Sequence, residues 1–360
     1  MGVKSTHRFL LGDARDMTAV ADASVQFVCT SPPYPMIQMW DSMFSSLDGQ
    51  IGELLESEEA WSAWEAMHVQ LDRVYAECFR VLSPGCLAVI NMGDATRTVA
   101  GDFQLFPNHA RVVTGMRQAG FVPLPDILWR KPTNSPNKFM GSGMLPAGAY
   151  VTYEHEYLLV FRKGSKRVFS TQADKENRRK SAFFWEERNR WFSDVWQDVA
   201  GTGQDLPSSA IRSRSAAFPI RIPWRLIQMF SVYGDTVLDP FAGTGTTLAA
   251  AAASGRHSIG VERESSLMGG VDSLIRHAAE RSAEWSLRRT VEHSDFVADR
   301  IRSKKPVRHE NEFLGVPVMT RQESQLMLYE ADRVVHHPPD RWVVHHIPMM
   351  REKSWAKKHG

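Results

Sequence analysis

Residues 235–253 constrain the fold more than any other stretch of the chain. Asp235-Thr236-Val237-Leu238-Asp239 reads as a buried strand, and residues 246–253 read as a helix. Between them lies Phe241-Ala242-Gly243-Thr244-Gly245. Glycines there let the backbone turn sharply and come close to a ligand, and the helix start offers free N–H groups. A second strand, residues 258–261, follows and ends at Glu262. Strand, turn, helix and strand in this order make a parallel unit, which buries both faces of its sheet.

Three ligand classes fit such a turn. A phosphate-gripping loop needs Gly-Lys-Ser/Thr, and no lysine is present. A dinucleotide fingerprint needs a third glycine three positions after Gly245, where Leu248 stands. S-adenosylmethionine carries no phosphate and remains. Its candidate contacts are Asp239, Phe241, Ala242, Gly243, Thr244, Gly245 and Thr246, with Glu262 placed to take the ribose hydroxyls. An NAD-linked oxidoreductase stays as a weaker alternative.

The rest of the chain alternates in the same way. Strands are expected at residues 8–11, 25–30, 87–91, 121–129 and 151–161. A long helix begins after Ser57, runs through Trp64, Met67, Leu71, Val74, Cys78 and Leu82, and stops at Pro84-Gly85. Another covers 109–120. Residues 35–56 contain Gly49 and Gly52 and read as a mobile loop with one helical turn. Hydrophobic residues make up 43% and charged residues 23% of the 360 positions, as in ordinary globular chains. A net charge of +2 is too small to name a polyanionic partner, so local charge must do so. The three cysteines lack metal or disulfide spacing. No signal-peptide pattern or long apolar run is seen, so the cytoplasm of a bacterium, an archaeon or a phage host is the expected compartment.

A second string follows the strand at 25–30: Thr30-Ser31-Pro32-Pro33-Tyr34. It suits the exocyclic amine of a base. Such an amine is a poor nucleophile because its lone pair is conjugated into the ring. Two acceptors and no competing donor favour a more tetrahedral nitrogen. Pro32 and Pro33 lack N–H groups and stiffen the backbone, so the Pro32 carbonyl can be aimed. Ser31 Oγ is the second acceptor, and Tyr34 offers a ring face to an extruded base. Attack at cytosine C5 would need a nucleophilic cysteine after a proline, and no Pro-Cys pair occurs.

With Ser31-Pro32-Pro33-Tyr34 first and residues 239–247 second, the chain resembles the permuted, β-class amino-methyltransferases of DNA over residues 8–287. It is most similar to the cytosine-N4 enzymes of restriction–modification systems. The resemblance implies a Rossmann-like α/β fold of the class I methyltransferases, with a mostly parallel sheet and circularly permuted motif order. It implies that Asp13, after Gly12, bonds the cofactor adenine and that Phe218-Pro219 packs on the methionine end. Arg80-Val81-Leu82-Ser83-Pro84-Gly85, Trp129-Arg130-Lys131, Glu154-His155-Glu156 and Gly260-Val261-Glu262 look like further family motifs. Ser213-Arg214-Ser215 departs from the family's histidine-proline start at that flank. In the family, serine before Pro-Pro-Tyr accompanies cytosine N4, and aspartate accompanies adenine N6. Cytosine N4 is therefore favoured and adenine N6 is the alternative. A non-catalytic DNA-binding protein and an RNA substrate stay open.

Four regions are expected: a catalytic half at 1–162, a target-recognition insert at 163–215, a cofactor half at 216–287 and an extension at 288–360. The insert holds nine basic and four acidic residues between Lys163 and Arg190, interleaved with aromatics. Lys163, Lys166, Arg167, Arg178, Arg179, Lys180, Arg188 and Arg190 are thus candidate contacts to double-stranded DNA, since such cations neutralise phosphates. The extension carries His336-His337 and His345-His346. Neighbouring histidines in a strand face opposite ways, so no metal is expected. A cognate restriction endonuclease and a second copy of the chain are the expected protein partners.

Overall fold

The computed structural model describes residues 2–131, 140–200 and 218–350. Its main sheet contains β1 (Val3–Leu11), β2 (Val25–Thr30), β3 (Leu82–Met92), β4 (Phe121–Pro123), β5 (Ile127–Arg130), β6 (His155–Lys163), β7 (Val195–Trp196), β8 (Thr236–Asp239), β9 (His257–Glu262), β10 (Tyr329–His337) and β11 (Arg341–Pro348). The spatial order is β7-β5-β6-β3-β2-β8-β9-β1-β11-β10, with β4 beside β6. The central five, β3 to β1, run parallel. β6 is antiparallel to β3, and β11 is antiparallel to β1.

Helices cover both faces because successive side chains of each strand point opposite ways. On one face lie α1 (Asp41–Leu47), α2 (Gly49–Glu56), α3 (Ala60–Val81) and α4 (Asn108–Gln118). Phe44, Ile51, Leu71 and Val112 from these helices pack with Val28, Ala88, Ile90 and Leu238 of the sheet. After the short exposed α5 (Gln172–Lys180), the other face is covered by α6 (Trp185–Trp191), α7 (Arg221–Phe230), α8 (Thr246–Ala252) and α9 (Val271–Arg302). Phe27, Cys29 and Val89 point to that face and meet Trp191, Leu226 and Ala250. Gly260 is required here. A Cβ on it would lie 2.6 Å from Leu248 Cδ1 and 2.7 Å from Ala242 Cβ, so α8 could not sit down on β9.

Several local expectations change. Residues 35–56 are not a loop: α1 and α2 bury Phe44 and Ile51, and the Asp48 side chain caps α2 by accepting from Gln50 N at 3.1 Å. Pro84-Gly85 does not stop the long helix. The helix ends at Val81, and both residues lie within β3. Gly85 takes φ +80° where Arg167 backbone crosses it. The strand expected at 121–129 is two strands, β4 and β5, parted by Leu124-Pro125-Asp126. Prolines 123 and 125 cannot donate to a ladder, so pairing is interrupted there.

The helix expected to end near Leu287 continues to Arg302. The extension from 288 onward is part of the same sheet. β11 pairs with β1 from Val3↔His346 to Arg8↔Arg341. A buried polar seam marks the join: Ser5 Oγ lies 2.8 Å from His346 Nε2 and 2.9 Å from His7 Nε2, and His7 Nδ1 lies 2.7 Å from Ser258 Oγ.

Candidate active site

β2 and β8 are neighbours, with Val28 beside Leu238, so the two motif strings emerge together at the C-terminal edge of the parallel strands. Ligands of open α/β sheets bind at that edge. Asp239 ties the strings together. Its carboxylate accepts from Thr30 Oγ1 at 2.5 Å, Thr247 Oγ1 at 2.6 Å and Phe241 N at 3.1 Å. Burial pushes its pKa up to about 6 against the pull of the Thr247 and Thr30 hydrogen bonds. Its oxygens brace the turn between β8 and α8 against the end of β2, and the residue also lines the cleft.

The turn has the conformation its glycines allow. Gly243 takes φ +52° and Gly245 takes φ +89°, in the left-handed region, and Gly245 caps α8. Glu262 Oε2 accepts from Gly243 N at 2.8 Å, while Oε1 accepts from Arg263 N and Glu264 N at 2.8 Å each. The carboxylate thereby fixes the turn after β8 against the end of β9.

One cleft of about 860 Å³ runs along this edge. It is lined by Ser31, Pro32, Pro33 and Tyr34 from the first string. Asp239, Phe241, Ala242, Gly243 and Thr246 line it from the second, together with Asp13, Phe218 and Glu262. Thr244 and Gly245 do not line it. Thr244 is buried beneath the turn, and its Oγ1 has no hydrogen-bond partner among the described residues. Asp13 lies on the cleft, but its carboxylate already takes Arg15 Nε at 3.0 Å and Arg15 Nη2 at 2.7 Å. Those hydrogen bonds hold its pKa below the usual carboxylate range. Several walls of the cleft carry no motif in the sequence. Trp40, Met43 and Phe44 come from the α1 region, and Gln70, Leu71 and Val74 come from α3.

Behind Tyr34 sits a polar cluster. Tyr34 Oη donates to Glu156 Oε2 at 3.0 Å and lies 3.1 Å from Ser31 Oγ. Asn91 Nδ2 lies 2.9 Å from Tyr34 Oη and 2.8 Å from Glu156 Oε2. Lys131 Nζ donates to Glu156 Oε1. Burial, then the nearby Glu156 charge, raises the Tyr34 pKa well above that of a free phenol. A Cβ on Gly93 would lie 2.8 Å from Tyr34 Cε2 and 3.3 Å from Glu156 Cγ, so only glycine admits this packing. Lys131 and Glu156 stood in the motif-like triplets of the sequence. Their meeting depends on β5–β6 register, which pairs Trp129 with Glu156.

The basic insert lies elsewhere. β6 runs antiparallel to β3, so residue 163 emerges at the N-terminal edge of the parallel strands. Lys163 Nζ donates there to Phe79 O at 2.5 Å and Leu82 O at 2.7 Å. Arg167 pairs with Asp235 through contacts of 2.6 and 2.9 Å. α5, with exposed Arg178 and Arg179 and half-buried Lys180, is tied to the same edge by Asn177 Nδ2 to Tyr233 O at 2.7 Å. About nine residues of β3 at about 3.3 Å each separate this edge from the cleft, so it cannot share one bound nucleotide with Tyr34. Lys163 and Arg167 thus bond within the fold at this edge, and Arg178, Arg179 and Lys180 lie on α5 beside it. Arg190 pairs with Glu292 at 2.9 Å, and Arg188 lies over the Phe192 ring at 4.9 Å, both on the α9 side of the sheet. Residues 201–215 of the expected insert lie outside the described residues.

The cleft matches a known architecture. Residues 25–269 match the DNA methylase family, whose members modify adenine N6 or cytosine N4. The chain belongs to this family. It is a DNA methyltransferase that uses S-adenosylmethionine and has the Rossmann-like methyltransferase fold. It is 45% identical to the Type II methyltransferase M.MthZI of Methanothermobacter thermautotrophicus, over 91% of each chain. It is 48% identical to the Type II methyltransferase M.MjaI of Methanocaldococcus jannaschii, over 74% of this chain and 89% of that one. Among solved structures it is similar to a DNA modification methylase of Thermus thermophilus, TTHA0409, determined in complex with S-adenosyl-L-methionine. The identity is 34%, the TM-score 0.59, and the match covers 76% of this chain and 94% of that one. The methyltransferase has no helix among its described residues that is long and apolar enough to cross a membrane.

Proposed function

We propose that the methyltransferase modifies the N4 amine of a cytosine extruded from duplex DNA. Ser31 carries this reading: a neutral hydroxyl acceptor stands where a carboxylate accompanies adenine in the family. Ser31 Oγ and the Pro32 carbonyl accept from the two amino hydrogens, and the Tyr34 ring covers the base.

The cofactor belongs in the other part of the cleft. Its volume suits a ligand of that size. Its walls also suit a donor without phosphates: Arg15 is neutralised by Asp13, and Glu262 lines the cleft with an acceptor that ribose hydroxyls would use. Phe241, Ala242, Gly243, Thr246, Phe218 and Glu262 would hold it, with Asp13 beside the adenine. Bound S-adenosylmethionine supplies an electrophilic methyl group on a sulfonium. Residues of both strings line one cleft, so a cofactor held there and an amine held at Ser31 would be neighbours, and such proximity would supply much of the rate. The DNA would lie over this edge, along the antiparallel strands Ala95–Val99 and Asp102–Phe106 and along residues 140–154, which expose Met144, Leu145 and Val151. A cognate restriction endonuclease that cuts the unmodified site is the proposed partner.

Digestion of modified DNA to nucleosides, with identification by mass, tests the base. N4-methylcytosine is the expected product. N6-methyladenine alone would replace cytosine with adenine and leave the amino-methyltransferase assignment standing.

A further inference from the structure

We infer that Glu156 sets the direction of a hydrogen-bond chain that keeps Ser31 Oγ an acceptor toward the target amine. The inference rests on the amino-methyltransferase reading and names a residue that acts through Tyr34 and Ser31.

A carboxylate can only accept hydrogen bonds. Lys131 Nζ donates to Glu156 Oε1. Oε2 faces Tyr34 Oη at 3.0 Å and Asn91 Nδ2 at 2.8 Å. The phenol has one hydrogen, and it goes to Oε2. The phenol oxygen then has only lone pairs left for its other neighbours, Asn91 Nδ2 at 2.9 Å and Ser31 Oγ at 3.1 Å. Ser31 must therefore donate its single hydrogen to Tyr34. Asn91 Nδ2 reaches Ser31 Oγ only at 3.4 Å, so lone-pair capacity remains on that oxygen. Ser31 lines the cleft, and this capacity is what an incoming N–H needs.

Without the carboxylate the order is not fixed. Tyr34 could donate to Ser31, and Ser31 could then turn its own hydrogen toward the amine. Burial and the Glu156 charge hold the phenol in its protonated form, so the donor that transmits the order persists across the working pH range. Glu156, Lys131 and Asn91 are positioning residues in this scheme. The asparagine orientation is itself set by Glu156, because its Oδ1 at 2.8 Å from a carboxylate oxygen would repel it.

The test compares wild type, Glu156→Gln, Tyr34→Phe and the double variant. Single-turnover methyl transfer, KM for DNA and cofactor affinity are measured for each. Glutamine keeps the shape but can donate to Tyr34 and reverse the chain. Phenylalanine keeps the stacking ring and removes the link. Each single variant is expected to lose about 10- to 100-fold in transfer rate, the scale of one mispaired buried group, with KM and cofactor affinity unchanged. The double variant is expected to be no slower than the slower single variant, because both changes break one chain. Rates within about twofold of wild type, or losses that multiply in the double variant, would overturn the inference. Tyr34→Phe removes one hydroxyl only and keeps the test decisive if Glu156→Gln does not fold. A wild-type enzyme that methylates no DNA would overturn the underlying reading and this inference with it.

Discussion

The two edges of the parallel sheet use charge in opposite ways. At the C-terminal edge, carboxylates and hydroxyls shape an open cleft: Asp239 and Glu262 brace the backbone turns, and Ser31 and Tyr34 face the space. At the N-terminal edge, a cation-rich run closes the fold upon itself. Lys163 covers the carbonyls that end α3, and Arg167 neutralises the nearly buried Asp235. The basic run looked like the interface because its composition suits phosphate. We propose that position decides otherwise, since β6 runs antiparallel to β3 and delivers the run to the edge away from the cleft.

The largest effect expected is at the cleft edge. Ser31→Ala should lower methyl transfer by about 100-fold, comparable to loss of one preorganised polar contact to a reacting group. Calorimetry should show the cofactor bound as before. A matching loss of cofactor affinity would mean that Ser31 supports the turn and does not face the base.

Glu262→Ala should weaken cofactor binding by about 1–3 kcal/mol, the scale for buried polar groups left unmatched. Unchanged affinity in the same titration would take Glu262 off the cofactor and leave it only its role in bracing the turn.

The opposite edge should report in stability. Arg167→Ala leaves the Asp235 carboxylate short of its partner, so denaturant unfolding should show a loss of about 1–3 kcal/mol, with the salt dependence of DNA binding unchanged. A flattened salt slope would show that Arg167 meets phosphate after all.

The smallest effect concerns α5. Reversing the charges of Arg178, Arg179 and Lys180 together should leave both DNA affinity and its salt slope near wild type. A clear fall in either would move DNA to the N-terminal edge and undo the contrast between the edges.

What the sequence revealed followed the range of the interactions involved. The turn at residues 239–246 was legible because strand, glycines and helix are contiguous, and local geometry sets their conformation. Ser31 through Tyr34 was legible for the same reason. The partnership of Glu156 with Tyr34 was not, because it depends on how β6 lies against β3 and β5. Residues 35–56 were misread because glycines at 49 and 52 suggest a break, whereas burial of Phe44 and Ile51 against α3 decides the helices. The C-terminal strands were unassigned because their partner, β1, is at the other end of the chain. The cation run was placed by composition, which says nothing about the edge a strand delivers it to.

Hydrogen exchange of the enzyme, alone and with target duplex plus a non-reactive cofactor analogue, tests the contrast between edges most directly. New protection is expected in residues 31–44, 95–106, 140–154 and 239–246, with none in α5. Protection concentrated at residues 163–180, with the cleft edge unchanged, would contradict the account.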